Sequence, residues 1–310
     1  MVSIFYRLPF SSFVLRHPTA FPVQWLVLFF VFLSLTACNH QPAGKPETRL
    51  VTDELNRPVR VVANPQRLVS LAPSVTETLY ALGLGDKIVG VTSYCDYPPE
   101  AKAKEQIGDT LKPSIEKIIA LKPDLVIASI ASQLEAFVQK LEDAGIPVYV
   151  SNPRNLAETL NSIQTIGALT GTNDKATALT DKLRQRIAAI HQRTAGRDKP
   201  AVFVLLGAEP LITIGGATFI NDLVTQAGGQ SISADEKSDY PQYSLETVIA
   251  RKPQVIFLQA GDERLPERLQ QTPAAQQRRV FHVNDDLLLR PGPRIIDGLE
   301  VIAEKLHPAL

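Results

Sequence analysis

Short apolar, β-branched runs alternate with stretches of helical period along most of this chain. Runs at 67–71, 88–91, 124–128 and 148–150, then at 201–206, 255–258 and 280–283, have the length and composition of buried strands. Helices are predicted between them. Ser74-Val-Thr-Glu has the form of a capping box opening a helix over 74–82, which Gly83 ends. A second helix, 114–121, stops before Lys122-Pro123, because the residue ahead of a proline avoids helical geometry. Strands alternating with helices predict parallel sheets and an α/β fold.

The middle of the chain breaks this rhythm. From 156 to 194 there is only helical periodicity, interrupted at Thr170-Gly-Thr-Asn. In the second piece Ala178, Leu179, Leu183, Ile187 and Ile190 form one stripe. A single long helix, ~30 Å at 1.5 Å per residue, would join two α/β lobes stiffly. The expected organisation is an N-terminal lobe over 49–155, a helical connector over 156–198 and a C-terminal lobe over 199–310.

The two halves share a segment. Ser114-Ile-Glu-Lys-Ile-Ile-Ala-Leu-Lys-Pro-Asp-Leu-Val matches Ser244-Leu-Glu-Thr-Val-Ile-Ala-Arg-Lys-Pro-Gln-Val-Ile at six identical positions. Each lobe thus starts an equivalent helix with one glutamate, Glu116 or Glu246. A carboxylate there interacts favourably with the helix dipole. It could equally present charge to a partner surface, setting orientation and association rate.

The first forty residues follow a different pattern. Arg7 and Arg16 precede an apolar run over 25–35, and Leu35-Thr-Ala-Cys follows. A basic start, a short apolar middle and small residues before the cut describe a secretory signal peptide over 1–37. The run is shorter than the ~18–20 residues that span a bilayer. The Leu-Thr-Ala-Cys ending resembles a bacterial lipobox, which implies lipidation of Cys38 and a membrane-anchored, extracytoplasmic lipoprotein. Residues 38–48 would be its polar tether.

Composition narrows the function. Over 310 residues, 32 basic side chains balance 32 acidic ones, which disfavours nucleic acid as a partner. A cut before Cys38 removes the only Trp, the only Met and seven of the twelve Phe. It leaves Cys95 alone, a buried free thiol by expectation. The histidines His40, His191, His282 and His307 are scattered, so no metal site is expected. No nucleophile elbow, dinucleotide fingerprint, phosphate loop or Cys-x-x-Cys occurs. A monomeric binder without a resident cofactor is expected rather than an enzyme. An enzyme or metallocluster protein on the same two-lobe plan is the rival from another class.

Five segments carry a resemblance. They are Arg67-Leu-Val-Ser-Leu-Ala-Pro-Ser-Val-Thr-Glu, Gly90-Val-Thr-Ser-Tyr-Cys-Asp-Tyr-Pro-Pro-Glu, Lys122-Pro-Asp-Leu-Val-Ile-Ala, Tyr240-Pro-Gln-Tyr-Ser-Leu-Glu and Arg290-Pro-Gly-Pro-Arg-Ile-Ile-Asp-Gly-Leu-Glu. In that order they resemble the class III solute-binding proteins of ABC importers. Ser93-Tyr-Cys-Asp-Tyr-Pro-Pro is most similar to the vitamin B12-binding members. The resemblance implies a ligand cleft between two lobes, a permease with its ATPase as partners, and a corrinoid as ligand. Haem and ferric siderophores, bound by other members, remain open. It also implies that Glu116 and Glu246 dock onto the permease, and that Tyr94, Asp286 and Arg290 contact ligand, with Pro73 and Tyr240 in the pocket wall. Where the vitamin B12-binding pocket has tryptophans, this chain has Thr110, Ser129 and Tyr240, and Leu206 replaces a phenylalanine. A less aromatic pocket is therefore expected. Arginine-rich walls would favour an anionic siderophore, but Arg154, Arg290 and Arg294 are too few to decide.

Overall fold

The computed structural model describes residues 47–129, 134–259 and 264–308. The leader and Cys38 lie outside the described residues, and no helix among those described is long and apolar enough to cross a membrane.

The chain enters through an antiparallel hairpin, β1 (Thr48–Thr52) and β2 (Pro58–Val62). Alternation along β2 drives Val59 and Val61 into the core and leaves Arg60 outside. This hairpin begins where the sequence suggests only a tether ending. Its few apolar positions explain why the pattern does not announce it.

The N-terminal lobe is a four-stranded parallel sheet in the order β4-β3-β5-β6, formed by β3 (Leu68–Ser70), β4 (Ile88–Val91), β5 (Leu125–Ser129) and β6 (Val148–Ser151). Helix α1 (Pro73–Ala81) connects the first two, α2 (Ile115–Leu121) precedes β5, and α3 (Leu134–Asp143) precedes β6. Leu125, Val126, Ile127 and Ala128 are all buried because helices cover both faces.

Two helices follow. Helix α4 (Leu156–Thr170) is capped by Asn155, whose side chain accepts from the Glu158 amide, and it ends at Gly171 in the left-handed region. Helix α5 (Asn173–Thr194) runs back beside it. Leu156, Leu160 and Ile163 belong to the core of the C-terminal lobe, whereas Ile166, Leu169 and Ala176 belong to that of the N-terminal lobe. Leu183 and Ile190 return to the C-terminal core. The helix pair is therefore built into both cores. Gly167 permits the close approach, since a Cβ there would lie 2.3 Å from the Ala176 Cβ.

The C-terminal lobe repeats the plan. Strands β7 (Ala201–Leu205), β10 (Gln230–Ser231), β11 (Val255–Gln259) and β12 (Val280–Val283) form a parallel sheet in the order β10-β7-β11-β12. Both sheets read second-first-third-fourth in chain order. A small hairpin, β8 (Gly207–Ala208) with β9 (Leu211–Ile212), is inserted after β7. Helices α6 (Phe219–Gln226), α7 (Leu245–Arg251), α8 (Pro273–Gln276), α9 (Asp285–Leu289) and α10 (Ile295–Leu306) complete the lobe. Arg186 of α5 clamps α10, donating to both oxygens of Glu300 at 2.9 and 2.6 Å and to Asp297 at 2.7 Å.

The repeated segment folds identically in both lobes. Ser114 caps α2 by accepting from the Lys117 amide, and Ser244 caps α7 by accepting from the Thr247 amide. Both helices end on a lysine in the left-handed region, Lys122 at φ 47° and Lys252 at φ 45°.

The start of α1 corrects one expectation. The cap is Ala72 with no side-chain hydrogen bond, Pro73 opens the helix, and Ser74 is already inside it. Pro73 is the local cue, because proline is favoured at the first helical position, where its missing N–H costs nothing. Glu77 is thereby released from a capping role.

Candidate functional site

The two lobes meet along α1 and the loops around it. A cavity of about 330 Å³ lies there, lined from the N-terminal lobe by Ala72, Pro73, Ser74, Thr110, Ser129, Ser151, Asn152 and Pro153, and from the C-terminal lobe by Leu289, Arg290 and Pro291. Its lining mixes small polar side chains with Ala72, three prolines and Leu289, carries no aromatic ring, and has Arg290 as its one charged residue. Gly292 lets the C-terminal loop rest on α1, because a Cβ there would stand 3.0 Å from the Ser74 carbonyl oxygen.

Arg290 is not idle. It donates to Asp96 at 2.6 Å, pairs with Asp286 at 2.7 Å, and reaches Glu77 at 3.5 Å. Arg294 donates through Nε to Glu77 at 3.1 Å, and its guanidinium lies 3.9 Å from the centre of the Tyr97 ring. Glu77, Asp96 and Tyr97 belong to one lobe, and both arginines to the other. Glu77 is almost fully buried, and burial is the strongest influence on its carboxyl, raising its pKa against the pull of Arg294 and Arg290. Asp96 is more exposed. Burial again pushes upward, but the hydrogen bond and charge of Arg290 outweigh it and hold the carboxyl below its ordinary range. Arg290 has the mirror-image balance: burial lowers its pKa, and its carboxylate neighbours more than restore it.

A second ionic contact crosses between the lobes. Arg154, next to the cavity-lining Pro153, pairs with Asp239 at 3.2 Å. Beside it the Leu156 amide donates to Asp222 at 2.8 Å. Two ionic contacts, Arg290 with Asp96 and Arg154 with Asp239, thus cross between the lobes at or beside the cavity.

Of the residues singled out from the sequence, Pro73 and Arg290 line the cavity together, and Thr110 and Ser129 share its wall. Asp286 is joined to Arg290 as its partner. Tyr94 and Tyr240 are more than half exposed and lie outside the lining of this cavity. Leu206 is half-buried against the C-terminal core. The sequence reading missed Glu77 and Asp239 as bridging groups, and gave Asp96 and Tyr97 no role of their own within the segment that carries the resemblance. Cys95 is a buried free thiol whose sulfur lies 3.2 Å from the Thr92 hydroxyl. Among the described residues, no group of three or more His, Cys, Asp or Glu could hold a metal.

Glu116 and Glu246 are fully exposed in the first turns of α2 and α7. Hydrogen bonds from its own amide and from Ser114 hold the Glu116 carboxyl below the usual range. The same holds at Glu246, with its own amide first and then Arg268, which pairs with it at 2.7 Å.

Two parallel-sheet lobes, a helix pair shared by both cores and a cavity at their junction define a two-lobed ligand-binding protein. Comparison with known proteins gives the family. A sequence profile of the periplasmic binding proteins matches residues 68–287. The ABC transporter substrate-binding lipoprotein YvrC of Bacillus subtilis (strain 168), itself uncharacterized, is 32% identical over 306 residues, 92% of this chain and 96% of its own. The crystal structure of the periplasmic vitamin B12-binding protein of Vibrio cholerae superposes with a TM-score of 0.71 at 33% identity, covering 79% of this chain and 98% of that one. The periplasmic haem-binding protein of Roseiflexus sp. RS-1 superposes with a TM-score of 0.71 at 29% identity, over 79% and 98% of the two chains. The chain belongs to the periplasmic binding protein family, as a substrate-binding protein of the ABC transporter type.

Proposed function

We propose that the protein is the corrinoid-capturing subunit of an ABC importer, held at the outer face of a membrane through a lipidated Cys38. The observation that carries the ligand class is the 33% identity and near-complete coverage of a vitamin B12-binding protein, on a matching two-lobed frame. The exposed rings of Tyr94 and Tyr240 support it, because a flat macrocycle needs large apolar faces with a polar handle. The small polar lining at Thr110 and Ser129 means that such a ligand would lean on tyrosines and on backbone edges rather than on tryptophans. Isothermal titration with cyanocobalamin tests the reading. Saturable binding of one molecule per chain supports it, and no heat at micromolar ligand rejects it.

A haem-binding relative of comparable fit supports the second reading, haem or a ferric chelate in the same cleft. The absorption spectrum of protein purified from its native host separates the ligands, since corrinoid, haem and ferric chelates absorb differently.

Glu116 and Glu246 are proposed to dock the lobes onto arginines of the permease, whose ATPase drives release. Each projects from the start of an equivalent helix, and exposed charges of this kind set orientation and on-rate. Replacing both with alanine should leave ligand affinity intact and weaken uptake; unchanged uptake rejects the role. A Cys38→Ala protein should leave the membrane fraction, and its retention there would reject the anchor.

A further inference from the structure

We infer that the cleft is electrostatically self-neutralised, and that Glu77, Asp96 and Asp239 are specificity determinants that keep anionic ligands out. Three arginines, Arg154, Arg290 and Arg294, stand in or beside the cleft, and arginine is a common device for gripping carboxylates and chelates. Yet each of these guanidiniums is already paired by this chain. Arg154 is held by Asp239, Arg290 by Asp96, Asp286 and Glu77, and Arg294 by Glu77 through Nε, while its Nη2 makes no hydrogen bond and stands 3.9 Å from Asp286. Three cations therefore meet four carboxylates. The start of α1 at Pro73 and Ser74 adds a partial positive charge of about +0.5 at most, so the sum is still not positive.

An incoming carboxylate at the Nη1 or Nη2 edge of Arg290 competes with Asp96 or Asp286, and displacing either leaves a partly buried charge without its partner. That penalty makes the wrong ligand costly even where its shape fits. A ligand with amides or hydroxyls and no net negative charge meets no such barrier. Its N–H and O–H groups can donate to the outer oxygens of these carboxylates while the ion pairs stay intact. The class of ligand assigned is therefore an amide- or hydroxyl-bearing molecule with no net negative charge. The pairs also join the lobes, so the same contacts that exclude an anion hold the cleft shut around a neutral guest.

The inference rests on this cleft being the ligand site, not on the ligand being a corrinoid. Matched probes separate the two. Cyanocobalamin is compared with the acid formed by hydrolysing one of its amide side chains, and haemin dimethyl ester with haemin, each against the unmodified protein and an Asp96→Asn/Asp239→Asn protein. Those two side chains are 43% and 45% exposed, so the variant should fold, and a thermal melt checks it. The expected result is at least a tenfold preference for the uncharged member of whichever pair binds, and at least a tenfold loss of that preference in the variant. An anionic member that binds the unmodified protein as tightly as its neutral twin overturns the inference, as does a preference the variant leaves unmoved. If only the haemin pair binds and the ester is preferred, the corrinoid reading falls and the self-neutralised cleft stands. If both corrinoids bind equally, the reverse holds.

Discussion

The two lobes are alike where they stand apart and unlike where they meet. Both carry a parallel sheet of the same strand order, and both place a serine-capped, seven-residue helix before the third strand, ended by a left-handed lysine. At the junction the resemblance stops. The N-terminal lobe brings Glu77, Asp96 and Arg154, and the C-terminal lobe brings Arg290, Arg294, Asp239 and Asp286. A duplicated scaffold can be reused wherever it packs only on itself. At the shared interface Glu77, Asp96 and Asp239 each take their cation from the opposite lobe, so the two sides differ in charge.

The largest expected effect comes from breaking that complementarity at its most shared point. Arg290→Met keeps the bulk of the side chain, strands Asp96, and leaves Glu77 and Asp286 to Arg294 alone, the latter at 3.9 Å. Removing one member of a buried ionic cluster costs about 3–5 kcal/mol, and the partial exposure of Asp96 and Asp286 puts this case at or below the lower end. Urea unfolding measures it. A loss under about 1 kcal/mol would mean that the cluster contributes no more than an exposed pair.

The helix pair gives the next largest effect, and it tests whether the lobes share one support. At Gly167 a Cβ would sit 2.3 Å from that of Ala176, in the stretch that belongs to the N-terminal core. Gly167→Val should therefore force α4 and α5 apart, at about 1–3 kcal/mol, as overpacking does. Because the same helices carry Leu160 and Leu183 into the C-terminal core, unfolding should remain a single transition at a lower midpoint. Two separate transitions would show that the lobes are independent.

How much of this was legible in the residues follows the same division. Most strands of the two sheets are buried apolar runs, so their pattern stands out, and the repeated Ser-x-Glu segments announce equivalent helices; β10, a Gln-Ser pair, and β12, with His282 exposed, are the exceptions. The junction was legible only in part. Glu77 sits where a capping-box glutamate would, and only Pro73, one residue before Ser74, marks the helix as starting too early for that role. Asp239 precedes a tyrosine already noted as a pocket residue, yet no local pattern pairs it with Arg154, 85 positions away. Ion pairs across a cleft depend on tertiary placement, which periodicity does not encode. The β8–β9 hairpin and β10 stayed hidden for a simpler reason: strands of two residues leave too short a period.

A smaller effect should separate the two glutamates proposed to dock. Glu246 is engaged by Arg268, whereas Glu116 makes no ion pair among the described residues. On that proposal a permease arginine would have to exchange with Arg268 to reach Glu246, and an exposed pair of this kind is worth about 0–1 kcal/mol. Arg268→Ala should therefore tighten docking up to about fivefold, chiefly through the on-rate, with no change at the ligand cleft. Association with permease in detergent, followed at two salt concentrations, measures it. If docking weakens instead, Arg268 itself belongs to the docking surface.

The smallest effect distinguishes the lobes by acid response. His307 closes the C-terminal end of α10, buried against Gly228, with Nε2 unpaired within the protein. Burial lowers its pKa below the ordinary 6.5; backbone groups at Gly228 and Ala227 oppose this, and Arg197 and Arg279 add to it. Lowering means that the unfolded chain binds the proton first, so stability rises with pH across that window. The contribution is complete above about 6.5 and is lost as pH falls through the folded value. Hydrogen exchange between pH 7.5 and 5.5 should show α10 and α6 loosening before α1, and His307→Gln should remove most of that difference. Equal loosening of both lobes would mean that acid acts through their common junction, where Glu77 is the carboxylate with the raised pKa, rather than through the histidine that only the C-terminal lobe buries.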